Sequence, residues 1–298
     1  MTSASETLKA KIHGIVVGVD GSEVSQLAID WAARDAALRG VPLTLVHVLP
    51  AEVEPWIDIP VAEDFLAARD RRAEQVINDA LRVVVVAASD RRDIAVEHQI
   101  LSGHAVPALV ELSKDADMIV AGSRGLGGVE GLLLGSVSSG LVHHAYCPVA
   151  VIHDDSRLLN DAAIAPVVVG VDGSPASELA TAIAFDEASR RKAELVAVHT
   201  WMNHADFYVD VAWDAVATQA EEELAQRLAG WSERYPEVIV RRVVGQDNPV
   251  SRLLKESSRA QLLVVGSHGR GGFAGLLLGS VSSALAHASR IPVIVARS

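Results

Sequence analysis

The hydrophobic positions of this chain fall into short aliphatic runs separated by longer segments with helical spacing. Residues 12–19 form a β-branched run ending in Asp20-Gly21-Ser22, which reads as a strand entering a turn. Between 23 and 39, Leu27, Trp31 and Leu38 recur at helical spacing, and Gly40 supplies a stop. A second strand is predicted at 43–49 and a long helix at 61–88, although its stretch 83–86 has strand-like composition. A third strand follows at 94–101, a short helix at 106–114, and a fourth strand at 118–122 that runs into a glycine-rich loop. A helix at 136–145 and a strand at 148–153 close the series.

The second half repeats that order, with strands at 166–171, 195–199, 238–243, 262–266 and 293–296 and helices at 177–191, 216–234, 250–258 and 280–289. Strands alternating with helices predict parallel sheets covered by helices on both faces. The stretch 154–165 reads as a linker, giving domains at 10–154 and 164–298.

The repetition extends to identity. GVDGS occurs at Gly18–Ser22 and Gly170–Ser174, an offset of 170 − 18 = 152. GLLLGSVSS occurs at Gly131–Ser139 and Gly275–Ser283, an offset of 275 − 131 = 144. The second half is therefore 152 − 144 = 8 residues shorter between the two motifs. Nine identical residues in a row do not follow from shared composition, so a whole domain has been duplicated, unlike the shorter units of a solenoid.

Composition narrows the function classes. A chain of 298 residues suits two domains. Half its residues are hydrophobic but only 4% are aromatic, so aliphatic side chains must fill the cores, as in strands buried on both faces. A net charge of −12 argues against a nucleic-acid-binding surface. It leaves open a local amide cradle for phosphate. The single cysteine, Cys147, permits no intramolecular disulfide or cysteine-based metal site within one chain and is expected to be a small buried hydrophobe. Met1–Lys11 lacks the apolar run of a signal peptide, and no apolar stretch approaches the ~18 residues of a membrane span, so a cytoplasmic protein is expected.

The chemistry concentrates in G-x₂-G-x₉-G-S, found at Gly122, Gly125, Gly135 and Ser136 and again at Gly266, Gly269, Gly279 and Ser280. Glycines let backbone amides approach an anion, and a following helix start offers unpaired N–H groups and a favourable dipole. Ser136 and Ser138, with Val137 between them, and Ser280, Val281 and Ser282 form the matching first turns, and the hydroxyls can add donors. Asp20 and Asp172 follow the first strand of each half, where a carboxylate can accept from ribose or adenine or hold Mg²⁺ beside phosphates. Equally, it can stabilise its own Asp-Gly turn. Arg124 and His268 lie inside the glycine loops, within reach of phosphate. His47 and His199 end the second strands and read as structural, since no nucleophile or metal set accompanies them. His143, His144 and His287 lie on the last helix of each half. Neither glycine loop contains Gly-Lys-Ser/Thr, and no G-x-G-x-x-G follows a first strand, which disfavours P-loop hydrolases and NAD-dependent enzymes. No catalytic set is nominated.

Both halves resemble universal stress protein domains over nearly the whole chain. The residues that carry the likeness are Gly18-Val-Asp20, the two glycine motifs, and the closing strands Cys147-Pro-Val-Ala-Val and Ile291-Pro-Val-Ile-Val. The glycine spacing is that of the family's ATP-binding branch, and the arrangement is similar to tandem stress proteins of actinobacteria, including mycobacteria. The resemblance implies α/β architecture, with two Rossmann-like (adenine nucleotide alpha hydrolase-like) domains, each a five-stranded parallel sheet in the order 3-2-1-4-5. It implies two ATP molecules per chain, with Asp20 and Asp172 beside adenosine and possible sites for Mg. Gly122, Gly125, Gly135, Ser136 and Ser138, and Gly266, Gly269, Gly279, Ser280 and Ser282, would wrap ribose and phosphates. Backbone near Val17, Val48, Val169 and Thr200 would flank adenine. It further implies pairing of the two last strands, where Pro148 and Pro292 suit sheet edges, and a homodimer. The implied function is nucleotide-dependent regulation in stress or dormancy, with unidentified protein partners, no nucleic acid and no membrane span. A slow ATPase, a nucleotide-gated interaction module and a cyclic AMP binder stay open beside it. The loops 50–60 and 201–214, which carry Trp56, Trp201 and Trp213, differ between halves and read as variable surface or as covers over the nucleotides.

Overall fold

A computed structural model describes residues 13–50, 63–89, 93–126, 134–153, 165–201, 213–269 and 278–297. The linker, the loop around Trp56, most of the loop after Trp201 and the middle of each glycine-rich segment lie outside the described residues.

The first half runs β1 (Ile15–Gly18), α1 (Glu23–Arg39), β2 (Leu43–Leu49), α2 (Glu63–Ala88), β3 (Val96–Ser102), α3 (Ala105–Leu112), β4 (Met118–Gly122), α4 (Ser136–His144) and β5 (Val149–Ile152). The second runs β6 (Val167–Gly170), α5 (Pro175–Arg191), β7 (Leu195–Trp201), α6 (Trp213–Arg234), β8 (Val240–Gln246), α7 (Pro249–Ser257), β9 (Leu262–Gly266), α8 (Ser280–Ala288) and β10 (Val293–Ala296). Each half forms a parallel sheet in the order 3-2-1-4-5, and the two join as one ten-stranded sheet, β3-β2-β1-β4-β5-β10-β9-β6-β7-β8. The join is antiparallel, with Val151 opposite Val293 and Val149 opposite Val295. The last strands are therefore edges of their own domains only. In the chain they form the centre of the sheet, and Pro148 and Pro292 sit just outside the shared ladder, their carbonyls accepting from Ile119 and Leu263 at 3.0 Å.

Local sequence explains the helix limits. Ser22 caps α1 by accepting from the Ser25 amide, and Gly40 ends it at φ 69°, the left-handed stop that glycine adopts without strain. Ser174 and Pro175 start α5 in the same way, but Lys192 must take the left-handed stop, at φ 53°. The stretch 83–86 stays helical to the end of α2. Ala73, Ile77, Ala80, Val84 and Ala87 bury one face at helical spacing, while Val85 and Val86 are 71% and 73% exposed. Helical periodicity there overrides the β-branched composition.

The two domains also meet through α1 and α5. Asp35 and Arg39 on α1, and Glu187 and Arg191 on α5, occupy equivalent positions, 152 residues apart. Each arginine bonds both carboxylates. Arg39 reaches Asp35 at 2.7 Å and also Glu187, and Arg191 reaches Asp35 at 2.6 Å and Glu187 at 2.7 Å. Asp35 and Glu187 are buried. Burial, followed by the nearby charge of Glu187, pushes the Asp35 carboxyl up, to about 6. At Glu187 the opposing effect of burial is outweighed by the Arg191 and Arg39 charges, which hold the carboxyl below its usual range.

Candidate nucleotide site

Strand order reverses between β1 and β4 in the first half and between β6 and β9 in the second. The backbones there diverge beyond the carboxyl ends of the strands and leave a crevice. A cavity of about 420 Å³ occupies the first crevice and one of about 440 Å³ the second, both within the range of ligand sites.

Asp20 holds the first crevice together. Its Oδ1 accepts from the Ser22 amide at 2.9 Å, which makes the Asp-Gly turn, and Gly21 sits at φ 86°. Its Oδ2 accepts from the Leu126 amide at 2.9 Å and so ties the turn to the glycine loop 106 residues later. Asp172 makes the same turn, accepting from the Ser174 amide at 2.9 Å and the Ser174 hydroxyl at 2.7 Å, with Gly173 at φ 78°. The second glycine of each loop has to be glycine for this contact. A Cβ on Gly125 would collide with Asp20 Oδ2, and one on Gly269 would lie 2.6 Å from Asp172 Oδ2.

The far wall is the start of a helix. Gly135 caps α4 and Gly279 caps α8, and neither has a side chain to satisfy the first-turn amides. Those amides, on Ser136, Val137 and Ser138 and on Ser280, Val281 and Ser282, line the cavities. They present unpaired donors and the positive end of the helix dipole. The inner serines do different work from the outer ones. Ser138 Oγ donates to the carbonyl of Ser123 at 3.0 Å, and Ser282 Oγ donates to that of Gly266, so each hydroxyl fastens the helix start to the strand end. Ser136 and Ser280 keep the positions from which a hydroxyl can reach a ligand. Arg124 and His268 line the two cavities at equivalent points. His268 Nδ1 lies 3.0 Å from Ser267 Oγ.

Of the backbone expected to flank a base, Val48 and Thr200 line the cavities, whereas Val17 and Val169 lie inside the sheet and their neighbours Gly18 and Gly170 take that place. His47 and His199 brace the strand ends. Their Nδ1 atoms lie 2.6 Å and 2.7 Å from the carbonyls of Val19 and Val171. His143 and His287 contact the carbonyls of Ser139 and Ser283 on their own helices. Sequence reasoning passed over the apolar floor, built by Leu109 against Gly18 and Leu253 against Gly170, each 3.2 Å from where a Cβ would stand. The 144-residue offset aligns these leucines and was the signal available. It also passed over Ser25. Its Oγ is buried on the first cavity wall with no hydrogen-bond partner among the described residues, whereas the equivalent Ser177 Oγ accepts from the Asp172 amide at 3.0 Å. A buried polar atom left unsatisfied beside a cavity fits a wall that a polar ligand completes.

The described residues contain no group of three His, Cys, Asp or Glu side chains able to hold a metal. Among the described residues lining each cavity, a divalent ion would find one carboxylate, Asp20 or Asp172, and would rest mainly on ligand oxygens and water. No helix among the described residues is long and apolar enough to cross a membrane.

Comparison with known proteins agrees with this architecture. The universal stress protein family matches the chain twice, over residues 11–153 and 164–297. A universal stress protein of Mycobacterium tuberculosis is 51% identical over 285 residues, covering 95% of this chain and 96% of that protein. One of Mycobacterium bovis is 51% identical over 293 residues, covering 96% and 98%. The crystal structure of a universal stress protein from Archaeoglobus fulgidus superposes with a TM-score of 0.69 at 20% identity, covering 95% of this chain and 98% of that one. The chain belongs to the universal stress protein family, with two such domains in tandem.

Proposed function

We propose that each domain binds one adenine nucleotide, ATP, at the β1–β4 and β6–β9 crevices, and that the chain acts as a nucleotide-dependent regulator in stress or dormancy. The observation that carries this reading is the doubled cradle. A glycine-walled loop, an uncapped helix start and a carboxylate converge on a cavity of about 420 Å³ in one domain and about 440 Å³ in the other. Phosphates would take the first-turn amides of α4 and α8, with Gly122, Gly125 and Gly135 and Gly266, Gly269 and Gly279 allowing close approach. The base would lie over the apolar floor of Leu109 or Leu253, near Val48 or Thr200. Asp20 and Asp172 shape the pocket and face the ribose side. Mg²⁺ would accompany the phosphates and supply charge neutralisation there. Regulation is favoured over turnover because both carboxylates are engaged in backbone hydrogen bonds that build the site.

The test is to denature purified protein, identify any released nucleotide by chromatography and mass spectrometry, and count moles per chain. Two ATP per chain is the expected result. ADP in place of ATP would support the slow ATPase instead. Absence of nucleotide, together with an unchanged melting temperature on adding ATP, would refute the reading, since saturation at a hundred times Kd stabilises by about 2.7 kcal/mol.

A further inference from the structure

The residue that follows the last strand of each domain reaches across the sheet join. Arg297, after β10, donates from Nε to the carbonyl of Ala145 at 3.0 Å and from Nη1 to that of Val142 at 2.6 Å. Those carbonyls end α4, the helix that opens on the first cavity. His153, after β5, is buried, with Nε2 3.0 Å from the carbonyl of Ala286 and Nδ1 3.2 Å from that of Ile291. Ala286 lies in the last turn of α8, which opens on the second cavity, and Ile291 lies in the link from α8 to β10. The two residues are equivalent in the repeat, 297 − 153 = 144. Both ring nitrogens of His153 face carbonyl oxygens, an arrangement that imidazolium meets with two donors. Arg297 meets the same demand with its guanidinium. A cation at a helix C-terminus complements the dipole whose positive end faces the cradle.

The residue just before each cation holds the glycine loop of its own domain. The Ser267 amide donates to the Ala296 carbonyl at 3.0 Å, and the Ser123 amide to the Ile152 carbonyl at 2.7 Å. Each strand end thus carries two attachments on adjacent residues, its main chain to one cavity and its side chain to the helix of the other. A nine-residue helix, about 13 Å long, spans from each cation to the opposite cradle.

We propose that Arg297 and His153 are cross-domain positioning residues. Arg297 sets α4 for the first site, His153 sets α8 for the second, and the crossed attachments couple the two sites. This rests on the nucleotide reading above. By linkage, the factor by which ligand at one site changes the affinity of the other is the same in both directions.

The test uses full-length chains reduced to one site, with Asp172→Ala leaving the first and Asp20→Ala leaving the second. ATP affinity is measured by calorimetry. Arg297→Ala should weaken the first site by roughly threefold to tenfold and leave the second unchanged. His153→Leu should do the reverse, and His153→Arg should restore the second site. Weakening of each substitution's own domain alone, or of both sites equally, overturns the proposal. Amide hydrogen exchange without nucleotide separates this from failure of the nucleotide reading. Faster exchange in the last turn of α4 alone in Arg297→Ala, and of α8 alone in His153→Leu, supports the positioning roles even if no ATP binds. Unchanged exchange in both helices overturns them.

Discussion

Two equivalent glycines should respond unequally to the same methyl group. At Gly266 an added Cβ would stand 2.7 Å from the Ala176 carbonyl carbon, 2.8 Å from its oxygen and 2.8 Å from the Ser177 nitrogen. All three atoms are main chain in the first turn of α5, so relief requires moving the helix against β9. At Gly122 the nearest atom is a methyl of Val24 at 3.0 Å, with Val24 main chain at 3.2 Å. A rotamer change and a few tenths of an ångström suffice there. Overpacking costs about 1–3 kcal/mol, and the geometry places Gly122→Ala near 1 and Gly266→Ala near 3 on that scale. At about 2–4 °C per kcal/mol, the melting temperature should fall by roughly 2–4 °C in the first variant and 6–12 °C in the second. The movement in Gly266→Ala would also shift Ser177, whose hydroxyl holds the Asp172 turn. If the difference of about 2 kcal/mol fell on binding, it would weaken the second site by roughly thirtyfold. Differential scanning calorimetry and nucleotide content per chain measure both effects. Equal shifts in melting temperature, or loss of nucleotide from the Gly122→Ala site first, would refute the steric account.

Glu187→Ala leaves the Arg39 and Arg191 guanidiniums sharing one buried carboxylate, with only the partly exposed Asp186 beside Arg39 at 3.7 Å, and should cost about 3–5 kcal/mol. Replacing Asp35, Arg39, Glu187 and Arg191 together with Leu or Met should cost far less, and chemical denaturation of both variants checks the contrast. Lys192→Gly gives α5 the left-handed stop that Gly40 gives α1, and should stabilise by about 0.5–1 kcal/mol after the entropy of the unfolded glycine is counted. An unchanged or lower denaturation midpoint would show that the lysine is unstrained there.

The legible parts of this molecule are those that depend on neighbours in sequence. The bounds of α1, β2 and β4 follow from Ser22, Gly40 and the aliphatic runs between turns, and the structure places them at Glu23–Arg39, Leu43–Leu49 and Met118–Gly122. The glycine loops were visible because the same spacing occurs twice. Contacts between residues far apart in sequence were hidden. Asp35/Arg39 and Glu187/Arg191 look like ordinary i,i+4 surface pairs until α1 and α5 face each other. His153 and Arg297 look like strand-end polar residues, because the carbonyls they hold are 133 to 155 residues away. The second anchor of Asp20, the Leu126 amide, was invisible for the same reason. The end of α2 was ambiguous because composition and periodicity disagreed, and only a partner surface could decide between them.

Duplication within one chain also has a consequence that pairing of two identical domains would lack. A symmetric pair has two identical sites, and any cross-domain contact is the same in both directions. Here the sites share the sheet join but differ where a ligand would touch them. Arg124 in the first corresponds to His268 in the second, Val48 to Thr200, and Ala105 to Pro249. The cross-domain cations differ as well, a guanidinium on α4 and an imidazole on α8. Inequivalent sites on one continuous sheet can fill in sequence as ligand concentration changes. Covalent linkage keeps the two in a fixed ratio, so the chain can present two graded states where a pair of identical domains offers one repeated twice.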